Sequence, residues 1–295
     1  MKRVIYFNVN YICNNRCLFC FSSSTSGGDR KGCISHQEML RRIKAIEPNS
    51  DDLIVINGGE PTLHPQFYEL LISLMNCNNA RIVVYTNAIS LDVTQLVNSE
   101  VTFVIPIHGS ASVHNEITQN PTSYDSTMAC IQELQNANYQ YSLKFIINEE
   151  MIFKGFNIKE FLIENRLSPS EVILARMNET KTSRKNCYAV PQPLDVKRYF
   201  NYQVQVLKNF TALKILDIPP CFVDELSASK PINVFQNKPQ FYFNDEDHVM
   251  EKRDYYKQVK IGDHCRGCVY EELCDLMSES YLTLAFVKKW LIIPE

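Results

Sequence analysis

Cys13, Cys17 and Cys20 stand four and three positions apart in Tyr-Ile-Cys-Asn-Asn-Arg-Cys-Leu-Phe-Cys, residues 11–20, directly after an apolar run at 4–9. Three thiols this close can hold one compact metal centre. Iron–sulfur clusters are ordinarily held by four cysteine thiolates. A three-cysteine loop therefore points to a cubane with one iron open to a ligand, which suits chemistry rather than electron storage. A zinc knuckle and buried thiols are the competing readings, but structural zinc takes paired ligands from two separated segments. A second motif lies about 40 residues on. Residues 53–61, Leu-Ile-Val-Ile-Asn-Gly-Gly-Glu-Pro, read as an apolar strand ending in two glycines, an acid and a proline. Gly58 and Gly59 allow positive φ and close approach of a ligand. Glu60 presents a carboxylate at the strand's C-terminal end, and Pro61 fixes the exit. An ordinary turn before a helix would look the same in isolation.

Both motifs need elements to position them. Strand-like runs at 4–10, 52–57, 81–86, 101–107, 141–147 and 171–177 alternate with helical patterns at 35–46, 65–76, 92–98, 123–137 and 157–165, followed by a long one at 193–214. Ser35 with Glu38 three residues on reads as a capping box. Six β/α units in series predict an α/β fold with a parallel sheet and right-handed crossovers, a partial (β/α)6 TIM-like barrel. No Gly-x-Gly-x-x-Gly follows a strand, which argues against a dinucleotide fold. In parallel barrels function gathers at the C-terminal strand ends, where the cysteine loop and residues 58–61 both fall.

With both motifs in place, the chain resembles the radical S-adenosylmethionine (radical SAM) superfamily over about residues 4–215. Its signature, Cys-x3-Cys-x-aromatic-Cys followed one β/α unit later by Gly-Gly-Glu-Pro, is complete in Cys13, Cys17, Phe19 and Cys20 and in Gly58, Gly59, Glu60 and Pro61. The resemblance implies a 4Fe–4S cluster on the three cysteines, with SAM bound at its open iron. Phe19 would lie near the adenine, and the Gly-Gly-Glu-Pro turn would bind the methionine amino group. Asn87, Asn148 and Arg176, at the ends of the third, fifth and sixth strands, are further candidates for SAM. His108 ends the fourth strand as a candidate acid/base facing the cavity, whereas His114 reads as a loop cap. Two departures stand out: Ala88 replaces the glycine of a Thr-Asn-Gly sequence, and Pro106 replaces a serine often found before the fourth strand's end.

After residue 216 the β/α rhythm stops. Cys221 is followed 44 positions on by Cys265, then Cys268 and Cys274. By spacing alone, four such thiolates can complete a zinc site or an iron–sulfur cluster. Behind a radical SAM core they resemble the SPASM/twitch extension, which implies a second, auxiliary 4Fe–4S cluster; Leu276 stands where many relatives have glycine. The expected division is a core at 1–215 and an auxiliary region at 216–295. Within that region, 281–293 reads as a core-packing terminal helix carrying Trp290, and 244–252 as a solvated loop.

Composition is that of a globular chain, 45% apolar and 21% charged, with a net charge of −3 that favours neither nucleic acid nor an anionic membrane. No apolar run reaches membrane-span length and no signal-peptide pattern opens the chain. A cytoplasmic location is expected, with the 11 cysteines serving metal or redox chemistry rather than disulfides. The resemblance further implies a flavodoxin or ferredoxin-type reductant and a 5′-deoxyadenosyl radical that abstracts hydrogen from an unactivated carbon. Modification of a ribosomally made peptide is the first expectation. Leader recognition would then fall to a separate partner or the C-terminal region, since the first strand begins at once. Oxidation or epimerisation of a sugar, nucleoside or other small metabolite is the alternative. For an epimerisation, Cys187, in the polar loop after the sixth strand, is the candidate hydrogen donor.

Overall fold

The computed structural model describes residues 4–21, 33–77, 80–97, 101–216 and 218, and the backbone of short strands at 233–234, 239–242 and 250–251. Strands β1 (Val4–Asn8), β2 (Leu53–Asn57), β3 (Arg81–Tyr85), β4 (Val101–Ile107), β5 (Tyr141–Ile147), β6 (Glu171–Arg176) and β7 (Leu213–Leu216) lie side by side in chain order, all parallel. Beyond β7, β8 (Asn233–Val234) adds in parallel. At the other edge β9 (Pro239–Tyr242) pairs parallel with β1, and β10 (Met250–Glu251) antiparallel with β9. The result is an open, curled half-barrel, as the sequence predicts, with one more parallel strand in the core than expected.

Helices α1 (His36–Ile46), α2 (Phe67–Cys77), α3 (Ala111–Thr118), α4 (Ser123–Asn136), α5 (Glu149–Phe153), α6 (Ile158–Glu164), α7 (Lys181–Lys185) and α8 (Pro193–Leu207) connect the strands. Alternation along the strands divides two faces. Ile5, Phe7, Ile54, Ile56, Val84, Phe103, Ile105, Leu143, Phe145 and Leu174 join Met39, Leu70, Leu74, Ile131, Leu162 and Phe200 of the helices in the main core. On the opposite face, Val4, Leu53 and Val55 pack with Tyr6, Val83 and Tyr85.

Four expectations change. The helical pattern at 193–214 breaks at Leu207, whose carbonyl accepts from Phe210 N and Thr211 N, and Leu213–Leu216 then pairs with β6 as β7. Residues 92–98 hold only a single 3-10 turn at Val93–Gln95, and three short helices, α3, α5 and α7, arise unannounced. At α1, Ser35 Oγ accepts from Glu38 N as a cap should, but the Glu38 carboxylate turns to Arg41 and Arg42 at 2.7 Å instead of completing the box. Within 244–252, Met250–Glu251 is strand rather than loop. Cys221, Cys265, Cys268, Cys274 and the segment 281–293 lie outside the described residues. No helix among the described residues is long and apolar enough to cross a membrane.

Pro106 sits inside a central strand, where a missing N–H normally breaks a ladder. Here it is tolerated for a geometric reason. Val104 O accepts from Thr86 N on the β3 side, so Pro106, two residues on, faces the same side just beyond the last paired residue of β3.

Candidate functional site

The cysteine loop leaves β1 and lies directly on the turn that ends β2. Gly59 N donates to Asn10 O and Glu60 N to Ile12 O, at 2.9 and 2.7 Å, while Asn10 Nδ2 donates back to Glu60 O. This contact is what the glycines are for. A Cβ on Gly58 would meet Asn10 O at 2.7 Å, and one on Gly59 would meet Ile12 O at 2.2 Å. Neither glycine is among the positive-φ residues, so the expectation of left-handed backbone gives way to close approach, and the approaching group is the cysteine loop's own backbone.

Glu60 is buried, and its carboxylate is used from within. It accepts from Thr62 N and Oγ1 at 3.1 and 2.7 Å, from Thr86 Oγ1 at 2.6 Å and from Asn87 N at 2.7 Å. Burial raises its pKa and these donors oppose the rise. Asn87 then reaches the cysteine loop: its Nδ2 donates to Asn14 Oδ1 at 2.7 Å and lies 3.9 Å from Cys13 Sγ. Ala88, in the glycine's place, is buried and adopts φ 64. The backbone keeps the left-handed turn and the alanine bears the strain.

On its other side the loop is fastened to α3 and α4. Arg16 N and Leu18 N donate to Thr118 O and Ile117 O, both at 2.9 Å. Asn15 Nδ2 donates to Ser123 Oγ, and Asn120 Nδ2 to Asn15 Oδ1. His108 N donates to His114 Nδ1, which places the ring proton on Nε2, 3.1 Å from Ser123 Oγ. His114 therefore belongs to the anchoring of this loop, and burial lowers its pKa to about 4.

Phe19, between Cys17 and Cys20, is packed by His108 edge-on at 5.2 Å and by Tyr188 at 5.6 Å, within a shell that includes Val113, Ile117 and Met177. Burial, with smaller contributions from His114 and Lys144, lowers the His108 pKa well below its ordinary value, so its imidazole is neutral. Tyr188 OH and His108 Nδ1 are buried without a hydrogen-bond partner among the described residues, as is Asn10 Oδ1 beside Gly58.

Of the remaining sequence candidates, Asn148 is fully buried and its amide is engaged internally. Nδ2 donates to His108 O and Ile146 O, and Oδ1 caps α5 at Met151 N. Arg176 Nη2 donates to Asn178 Oδ1 at 2.6 Å beside the same strand ends. Cys187 is exposed, with φ 51, just past α7; its neighbour Tyr188 is the residue packed on Phe19. Sequence reasoning missed Tyr188, Asn14 and Asn15, because their partners lie far along the chain.

The residues present fit an iron–sulfur cluster. Cys13, Cys17 and Cys20 are free thiols on one short loop. Burial pushes the Cys13 thiol up to about 11, opposed by the backbone N–H of Asn15 and reinforced by Glu60 and Cys20. Burial also raises Cys17, with Cys20 and Cys13 adding to the effect, so the three sulfurs sense one another. No three His, Cys, Asp or Glu groups among the described residues converge on a point for a single ion. A cubane does not ask for that, since each thiolate binds its own iron. SAM is also suited: unpartnered acceptors and neutral donors flank the loop, with Asn10 Oδ1 on the β2 side and His108 and Tyr188 on Phe19.

Comparison with known proteins agrees with this geometry. The mycofactocin maturase MftC of Mycobacterium tuberculosis is 26% identical over 137 residues, 45% of this chain but only 34% of that protein. The chain thus matches about a third of the length of that relative. Among solved structures, anSMEcpe with bound AdoMet superposes with a TM-score of 0.68 at 15% identity, covering 93% of this chain and 88% of that one. Streptococcus suis SuiB bound to precursor peptide SuiA superposes with a TM-score of 0.65 at 14% identity, covering 88% and 61%. Both likenesses are of fold. The sequence profile of the Radical SAM superfamily matches residues 7–163, more than half of the chain, and the protein belongs to that superfamily.

Proposed function

We propose that this chain is a radical SAM oxidoreductase that modifies a ribosomally made peptide. The observation that carries the reading is the three-cysteine loop laid backbone to backbone on residues 58–61 at the C-terminal ends of the strands. Similarity to a maturase, and in fold to a protein solved with its precursor peptide, supports the peptide as substrate class. Cys13, Cys17 and Cys20 would hold a 4Fe–4S cluster, with SAM against Phe19 and residues 58–61. When bound, the reduced cluster and SAM supply a 5′-deoxyadenosyl radical that removes hydrogen from an unactivated carbon. The chain's own part is to orient and to shield. Glu60 fixes the ends of β2 and β3, and the apolar cluster of Phe19, Val113, Ile117 and Met177 beside the cysteine loop would keep water from the reacting atoms.

In the same reading, Cys221, Cys265, Cys268 and Cys274 hold an auxiliary 4Fe–4S cluster in a region at 216–295. Four protein thiolates leave no open iron, which suits electron transfer. A flavodoxin or ferredoxin supplies the first electron, in the cytoplasm. Reconstituted anaerobically and reduced with dithionite, the wild type is expected to form 5′-deoxyadenosine from SAM. Cys13→Ala, Cys17→Ala and Cys20→Ala should each abolish it, and cleavage persisting in all three sinks the cluster assignment. Incubation with short peptides encoded beside the gene should give a product of altered mass. Turnover of a sugar or nucleoside instead would transfer the reading to a small metabolite.

A further inference from the structure

Two hydrogen-bond donors from different elements reach the sulfur of Cys13. Asn15 N donates to Cys13 Sγ at 3.4 Å. Asn87 Nδ2 approaches the same sulfur at 3.9 Å, a long N–H···S contact, from the end of β3. The orientation of that carboxamide is determined by its surroundings. Asn87 Oδ1 accepts from Ile89 N at 3.0 Å, an Asx-turn that leaves the NH2 group facing the cysteine loop. One of its two protons goes to Asn14 Oδ1 at 2.7 Å, and the other is directed to Cys13. The backbone is pinned as well, because Asn87 N donates to the buried Glu60 carboxylate at 2.7 Å. A fixed chain thus runs from the Gly-Gly-Glu-Pro turn through Asn87 to one cysteine sulfur.

Hydrogen bonds to a cluster's sulfurs draw charge from the iron and raise its reduction potential. Outer groups that orient a ligand also tune the metal it holds. We propose that Asn87 is a positioning residue for the cluster rather than a ligand of SAM. It donates to Cys13 and so makes the cluster easier to reduce. The inference rests on the cluster assignment above and gives Asn87 a role at that same site. Glu60, in this account, acts on the cluster through Asn87.

The test is the midpoint potential of the cluster whose electron paramagnetic resonance signal changes when SAM is added, measured on the full, reconstituted protein. Asn87→Leu removes the donor at similar volume. Asn87→Asp keeps the cap on Ile89 N and replaces the donor by an acceptor with charge. Both are expected to move the midpoint to more negative potential, Asp further than Leu, with the iron content of wild type. Ser90→Ala is the control, because Ser90 Oγ accepts from Asn14 Nδ2 and its loss loosens the same loop without touching the Asn87 donor. It should leave the potential unchanged. An unchanged potential in both Asn87 variants, or a shift in Ser90→Ala equal to theirs, overturns the proposal. So does loss of the cluster from both Asn87 variants, which would make Asn87 a holder of the loop alone. A wild type with no SAM-responsive signal would instead bring down the functional reading on which the inference rests.

Discussion

Thr86 donates its hydroxyl to Glu60 across 2.6 Å, and this bond closes the ends of two adjacent strands on one buried carboxylate. Thr86 Oγ1 in turn accepts from Ala88 N, so the hydroxyl also shapes the left-handed turn that follows. The acid of the Gly-Gly-Glu-Pro motif is thus a fastening for β2 and β3 as much as a group for a ligand.

Glu60→Gln tests that fastening. A carboxylate accepts at both oxygens, whereas the amide turns an NH2 toward a donor on one side. Bonds to charged groups are worth roughly 1.5–3 kcal/mol, so a loss of about 2 kcal/mol is expected, read as a fall in denaturant midpoint and in iron retained. Wild-type stability in the variant would show that the four donors do not need the charge.

Gly59→Ala is expected to push the cysteine loop away, because the new Cβ would sit 2.2 Å from a backbone oxygen that cannot move without the loop. Gly155→Ala is the comparison: nothing lies within 4 Å of its Cβ, and only φ 61 opposes the change, at about 1–2 kcal/mol. Iron content and 5′-deoxyadenosine should collapse in the first and persist in the second. Equal behaviour would refute the contact account.

Ala88→Gly relieves about 1–2 kcal/mol of left-handed strain. It gives up about 0.5–1 kcal/mol in chain entropy and about 0.8 kcal/mol of buried methyl. The terms nearly cancel, so equilibrium unfolding should show a change within about 1 kcal/mol. Ala88→Val, β-branched at positive φ, should be clearly destabilised. A large gain in the glycine variant would mean the strain is greater than this balance allows.

Acid should loosen the fold through His114. Its folded pKa, about 4, lies below the ordinary 6.5, so the unfolded chain binds more protons between those values. Stability is then full above about pH 6.5 and declines as pH falls toward 4, by on the order of 3 kcal/mol for the full shift. His108, lowered in the same direction, adds to the decline. Unfolding midpoints across this window should fall less steeply for His114→Gln than for wild type. Parallel slopes would exclude His114 as a source.

Much of the site is legible in the sequence because its constraints are local. Three cysteines on one loop and two glycines at a strand end announce themselves by spacing, and six of the seven core strands by alternation. What escapes is set by distant partners. Leu213–Leu216 continues the apolar rhythm of α8, and only pairing with β6 reveals it as a strand. Asn148 reads from its place at a strand end as a candidate for SAM, and only the structure adds that its carboxamide ties His108 O, Ile146 O and Met151 N together. Nothing beside Tyr188 in the chain announces that it packs on Phe19.

The glycine contact also dictates an order of events during synthesis. Residues 10–12 take their shape from hydrogen bonds to Gly59 and Glu60, nearly fifty positions downstream. Until the ribosome has released that stretch and β2 has paired with β1, the three cysteines lie on a strand end without its support. A cluster placed on these cysteines would thus find its cradle only after the first β-α-β unit has formed.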